Sequence, residues 1–84
     1  MNTEKELFTI TAEECAELIQ VCMKTVRFGV DTRHKDLVEE VGDVSLMIDL
    51  LIKYGYITQD EIAARKEIKR TKLKKFSNLI EENI

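Results

Sequence analysis

Residues 13–17, Glu13-Glu14-Cys15-Ala16-Glu17, and residues 40–43, Glu40-Val41-Gly42-Asp43, decide how this chain is read. Each cluster sits in an apolar pattern of helical period, so each projects carboxylates from one face of a helix. Glu14 with Glu17, and Glu40 with Asp43, are i,i+3 pairs whose side chains can converge on one hard cation. The two clusters are separated by 22 residues. If the two helices run antiparallel, both pairs face the same point. The expected fold is therefore all-α: an antiparallel helical hairpin plus a C-terminal helix, assembling into a helical-bundle oligomer.

Working outward, Thr11 followed by Glu14 reads as a capping box that starts the first long helix. Gly29 ends it after Phe28. Steps of about 100° per residue put Cys15, Leu18, Ile19, Cys22, Met23 and Val26 on one side, with Glu13, Glu14 and Glu17 largely opposite. On that reading Cys15 and Cys22 are buried free thiols. Seven residues along one helix separate their Cα atoms by about 10.5 Å, beyond the roughly 7 Å a disulfide spans. Val30 to Lys35 is a short polar connection of hairpin length, and His34 within it is read as a solvated loop residue.

The second helix is expected from Lys35 to Tyr54, with Gly55 as its terminator. Val41, Val44, Ile48, Leu51 and Ile52 form one stripe, while Leu46, Met47 and Leu50 occupy much of the remaining circumference. A helix apolar nearly all round is buried on several sides. In a chain of 84 residues those sides must include a neighbouring subunit. Thr58-Gln59-Asp60-Glu61 is a second capping box, and the helix that follows carries seven of the 13 basic residues between Arg65 and Lys75.

Composition narrows the class. A chain this short is one domain, spanning residues 1–84, and buries only about 60 to 65% of its unfolded surface when it folds alone, which favours self-association. No proline, three glycines, 44% hydrophobic and 35% charged residues describe an all-helical protein. The net charge of −3 argues against general nucleic-acid binding. The longest apolar run, Val44 to Ile52, is interrupted by Ser45 and Asp49 and falls far short of the roughly 20 residues of a membrane span. Met1 to Leu7 lacks the pattern of a secretory signal, so the expected location is cytoplasmic.

An isolated ExxE is ordinarily a solvated helix face. The second cluster differs, because Asp36, Glu40 and Asp43 lie on a stripe that continues into Met47, Leu50 and Leu51, so carboxylates run directly into core. Two like charges about 4 Å apart repel by on the order of 4 kcal/mol at an effective dielectric near 20. Protonation, a lysine or a divalent cation can offset that repulsion, and only the cation explains two matched pairs. All-oxygen ligands point to Mg²⁺, with Mn²⁺ as a substitute.

Glu-Glu-x-x-Glu followed by Glu-x-x-Asp across a helical hairpin resembles the all-alpha nucleoside triphosphate pyrophosphohydrolases of the MazG type. The resemblance rests on Glu13 to Leu18 and Glu39 to Asp43 and covers roughly residues 10 to 55. It implies hydrolysis of a nucleoside triphosphate between its α and β phosphates, releasing a nucleoside monophosphate and pyrophosphate. It also implies Mg²⁺ held by Glu14, Glu17, Glu40 and Asp43, with Glu13 as an outer base or further ligand. Lys24 and Arg27 on the first helix are cations that could supply charge to the triphosphate; the basic face of the third helix reads first as a solvated face, with Lys69 and Lys72 as phosphate-holding cations on the alternative reading. The expected partners are a nucleotide and further copies of the chain, as a dimer or tetramer, with neither nucleic acid nor membrane. The rival readings are a phosphoribosyl-ATP pyrophosphohydrolase-like enzyme, which shares a similar acidic hairpin, and a non-catalytic helical oligomer that binds or regulates.

Overall fold

A computed structural model describes residues 2–80. Among them every regular element is helical: α1 (Thr3–Phe28), a 3₁₀ turn (Val30–Thr32), α2 (His34–Lys53) and α3 (Gln59–Phe76). The chain divides into two compact units, the first ending at Tyr54 and the second beginning at Gly55.

Helix α1 starts eight residues before the expected capping box, and Asn2 is its N-cap, with Oδ1 accepting from the Lys5 backbone N–H at 2.8 Å. Thr11 is a helix-interior residue whose hydroxyl donates to the Leu7 carbonyl at 2.7 Å. The capping-box reading of Thr11 and Glu14 is thus wrong. Leu7 and Ile10 extend the apolar pattern one and a half turns upstream, and a Thr-x-x-Glu spacing inside a helix has no orphan backbone N–H left to cap. The correction frees the Glu14 carboxylate from any capping duty.

Helix α1 ends at Gly29, whose φ of 98° and ψ of 155° suit only a residue without a side chain, and the 3₁₀ turn then reverses the chain. Helices α1 and α2 pack as a hairpin. The stripe of α1 that meets α2 is Leu7, Thr11, Glu14, Leu18, Val21 and Thr25, all buried or half-buried. Its counterpart on α2 is Leu37, Glu40, Val44, Met47 and Leu51. Spacings of three and four residues alternate along both, the pattern of helices packed at a shallow angle.

This stripe is not the one expected on α1. Cys15 and Cys22 are exposed, Ile19 is 63% exposed and Val26 79%. Both thiols therefore lie on the open surface of the single chain. The physical reason is that Glu14 and Thr11 interrupt the stripe that packs, whereas the neighbouring arc is uniformly apolar and dominates any average over the helix. Among the described residues only Leu7 and Met47 are buried to the level of a core, 5% and 6% exposed.

Tyr54 closes α2, its N–H bonding back to the Leu50 carbonyl at 2.9 Å, and Gly55 follows at φ 83°. In the second unit α3 begins with the expected capping box, complete in both halves. The Glu61 N–H donates to Thr58 Oγ1 at 3.1 Å, and the Thr58 N–H donates to Glu61 Oε1 at 2.9 Å. No helix among the described residues is long and apolar enough to cross a membrane.

Candidate metal centre

Reversal at Gly29 brings the two acidic clusters level with each other. Glu14, Glu17, Glu40 and Asp43 each place an oxygen within 4.8 Å of the other three. Glu17 lies beside Glu40 and Glu14 beside Asp43, each pair within side-chain hydrogen-bond reach. The cluster thus has two rungs, one helical turn apart. Oxygen ligands about 2.1 Å from an octahedral Mg²⁺ lie roughly 3 to 4.2 Å from one another, so the four carboxylates need to draw in only slightly to share one ion.

The electrostatics show what the hairpin tolerates there. Glu14 and Glu40 belong to the half-buried stripe between the helices, and one oxygen of each, Oε2, is buried with no hydrogen-bond partner. Burial, followed by the neighbouring Glu17, Asp43 and Glu14 carboxylates, pushes the Glu40 carboxyl up to about 7. Burial raises Glu14 in the same direction, with the charges of Glu17 and Asp43 adding to it. Glu17 and Asp43 are exposed. Buried carboxylate oxygens without donors are rare in folded proteins, and a hard divalent cation satisfies all of these at once. The donor set fits Mg²⁺ or Mn²⁺, being four carboxylates with no imidazole or thiolate among them.

The remaining expected site residues fall elsewhere. Glu13 is exposed, adjacent to the cluster in sequence, and is not one of the four that converge. Lys24 and Arg27 lie two to three turns farther along α1, where with Met23 and Val26 they line a shallow depression of about 350 Å³. Lys69 is on α3 in the second unit, where it lines an open surface depression of about 170 Å³ together with Lys66, Arg70, Leu73 and Ile80. Lys72 is exposed on the same helix.

Arg33 is a residue the sequence reading passed over. It stands at the N-cap of α2 with its guanidinium 5.6 Å from the Phe28 ring centre and 3.7 Å from Asp36, and its Nε is buried without a partner. Arg27 approaches the same ring at 5.7 Å. Two guanidiniums thus flank the Phe28 ring at the turn end of the hairpin, and the signal available in the sequence was the register of Arg33, seven residues before Glu40 on the same stripe. Comparison with protein-family models, with curated proteins and with solved structures finds no match to this chain.

Proposed function

We propose that the chain is a Mg²⁺-dependent nucleoside triphosphate pyrophosphohydrolase, converting a ribo- or deoxyribonucleoside triphosphate to the monophosphate and pyrophosphate in the cytoplasm as a homo-oligomer. One observation carries the reading: four carboxylates from two helices converge within 4.8 Å, two of them with buried oxygens that no protein donor satisfies. The resemblance of Glu13 to Leu18 and Glu39 to Asp43 to the MazG-type signature helices supplies the reaction.

In this reading Glu14, Glu17, Glu40 and Asp43 hold the ion. When bound, Mg²⁺ neutralises phosphate oxygens and acidifies a coordinated water. Glu13, exposed and next to Glu14 in the sequence, would take up the water proton. Lys24 and Arg27 supply positive charge along α1, and Lys69 and Lys72 are the corresponding cations of α3. A phosphoryl-transfer site of this kind works by positioning and charge neutralisation, for which side chains carried on two rigid helices are well suited.

The test is pyrophosphate release from each of the eight common nucleoside triphosphates, with Mg²⁺, with Mn²⁺ and with a chelator. Release from at least one substrate that stops with chelator and is abolished by Glu40→Gln or Asp43→Asn, with helicity retained, is the expected result. Activity undiminished in both variants removes the site assignment. Absence of release with every substrate, alongside intact metal binding, leaves the two rivals, which pyrophosphate release from phosphoribosyl-ATP separates: release marks the phosphoribosyl-ATP enzyme, and none leaves the non-catalytic binding module.

A further inference from the structure

The register that brings the acidic clusters together carries on toward the turn. Lys24 follows Glu17 by seven residues and Arg33 precedes Glu40 by seven, so each keeps to the same side of its helix, two turns or about 10.5 Å nearer Gly29. Lys24 and Arg33 therefore form a cationic rung in line with the rung of Glu17 and Glu40. Asp36 stands in the same relation to Asp43, and Phe28 lies one turn beyond Lys24. Lys24, Phe28 and Asp36 thus border the side of the hairpin on which the exposed Glu17 and Asp43 open.

Arg33 is held there without being satisfied. Its guanidinium leans on the Phe28 ring, 5.6 Å from the ring centre, and stands 3.7 Å from the Asp36 carboxylate. That separation is too long for a hydrogen bond, and with side chains 30% and 50% exposed the ion pair contributes little. Nε is buried with no partner. A buried N–H without an acceptor is rare in a folded protein, and the fork of donors around it matches the paired oxygens of a phosphate. Because Phe28 and Asp36 both border the open side of the cluster, their contacts turn the fork to that side.

We infer that Arg33, with Lys24 opposite it, holds the far phosphates of a polyphosphate whose near end sits on the ion in the carboxylate cluster, and that Asp36 occupies the guanidinium until a phosphate displaces it. Cluster and cationic rung are two turns apart on rigid helices, and long side chains shorten that gap. A chain of linked phosphates bridges it, whereas a single phosphate on the ion does not. Exchange favours the phosphate, because Asp36 offers one carboxylate beyond hydrogen-bond range and a phosphate brings paired, charge-assisted hydrogen bonds. Arg33 is then the residue that tells a ligand bearing a pyrophosphate group from one with a single phosphate. The inference rests on the nucleotide reading proposed above and names the group that grips the leaving end.

Calorimetric titration with inorganic pyrophosphate and with orthophosphate, in excess Mg²⁺, tests it without requiring turnover. Wild type should prefer pyrophosphate. Arg33→Ala should weaken pyrophosphate binding roughly tenfold to a hundredfold, the range for hydrogen bonds to charged groups, while the affinities for orthophosphate and for Mn²⁺ alone change by less than about threefold. Asp36→Asn should tighten pyrophosphate binding about twofold to fivefold, and should have no effect in the Arg33→Ala background, because Asp36 acts through Arg33. Should Arg33→Ala lose helicity, Arg33→Gln, which keeps a stem over Phe28, takes its place with the same expected loss. No pyrophosphate binding in wild type, binding within about twofold of wild type in the Arg33 variant, or an equal fall for orthophosphate or Mn²⁺ overturns the inference. Triphosphate hydrolysis with unchanged kcat/KM in Arg33→Ala refutes the role of Arg33 and leaves the hydrolase standing. Arg33-dependent pyrophosphate binding in a chain that hydrolyses no triphosphate upholds the role of Arg33 and refutes the hydrolase.

Discussion

Protons and metal compete for the same oxygens in this cluster, and the competition has a size. Glu40 holds its proton up to about pH 7, while a cation must meet it ionised. If only that proton must leave, the apparent metal affinity scales as 1/(1 + 10^(7−pH)), so between pH 8 and pH 6 it falls about tenfold, about twofold of it above pH 7 and about fivefold below. Glu14, raised in the same direction, steepens the fall. Binding at pH 7 should also release about half a proton from Glu40. Calorimetric titration with Mn²⁺ in two buffers of different ionisation enthalpy measures both quantities. Glu40→Gln should bind more weakly and lose most of the pH dependence. An affinity constant within twofold from pH 6 to pH 8 for wild type, or an equally steep profile for Glu40→Gln, would refute the reasoning, because either shows that the buried carboxyl is not a ligand.

Three further outcomes are expected. Because burial raises Glu40 and Glu14 above their unfolded value of 4.5, the folded state binds more protons than the unfolded one in that window. The metal-free chain should therefore be most stable below about pH 4.5 as far as these groups are concerned and lose stability toward pH 7. Melting curves across that range should show the decline, and Glu40→Gln should flatten it. Asn2→Ala should cost about 1 kcal/mol as the loss of an N-cap, and Asn2→Asp, which keeps the cap, should cost less than about 0.5 kcal/mol; urea titrations that find Asn2→Ala within about 0.3 kcal/mol of wild type would remove the N-cap assignment. If Lys69 or Lys72 contacts the triphosphate, its replacement by Ala should weaken transition-state stabilisation by roughly 1.5 to 3 kcal/mol, about tenfold to a hundredfold in kcat/KM. Wild-type kcat/KM in both variants and in the double variant would leave the phosphate contacts to Lys24, Arg27 and the ion.

The acidic hairpin was legible in the chain because two i,i+3 carboxylate pairs on periodic segments leave little choice of partner, and because Asp36, Glu40 and Asp43 run into Met47 without a polar break. Thr58 and Glu61 were legible for a similar reason: Gly55 ends the preceding helix close by, so the box had a free end to cap. Thr11 offered the same letters without that end. The orientation of α1 was the larger miss. Two stripes of identical spacing lie side by side on it, and the one that packs against α2 includes Glu14, so the more apolar stripe looked like the inner one. Periodicity finds seams and does not rank them. Which seam closes first depends on the tether, and the turn at Gly29 brings Leu7, Leu18 and Val21 to α2 within the same chain. Arg33 was overlooked because its contact with Phe28 is made across the turn, although Asp36 lies only three residues on.

The turn at Gly29 also sets an order of events. In each of the rungs Glu17 with Glu40 and Glu14 with Asp43 the two residues lie equally far along the chain from one pivot, so the hairpin can zip from the turn outward, each rung bringing the next within reach. The contacts nearest the pivot form first, and the carboxylate rungs come at mid-height, before Leu7 can be covered. In the absence of a cation the zipper must therefore pass its most repulsive point to reach Met47 and Leu7, the two well-buried side chains among the described residues. An ion already held by the first rung would turn that barrier into a latch, so metal should speed folding more than it slows unfolding.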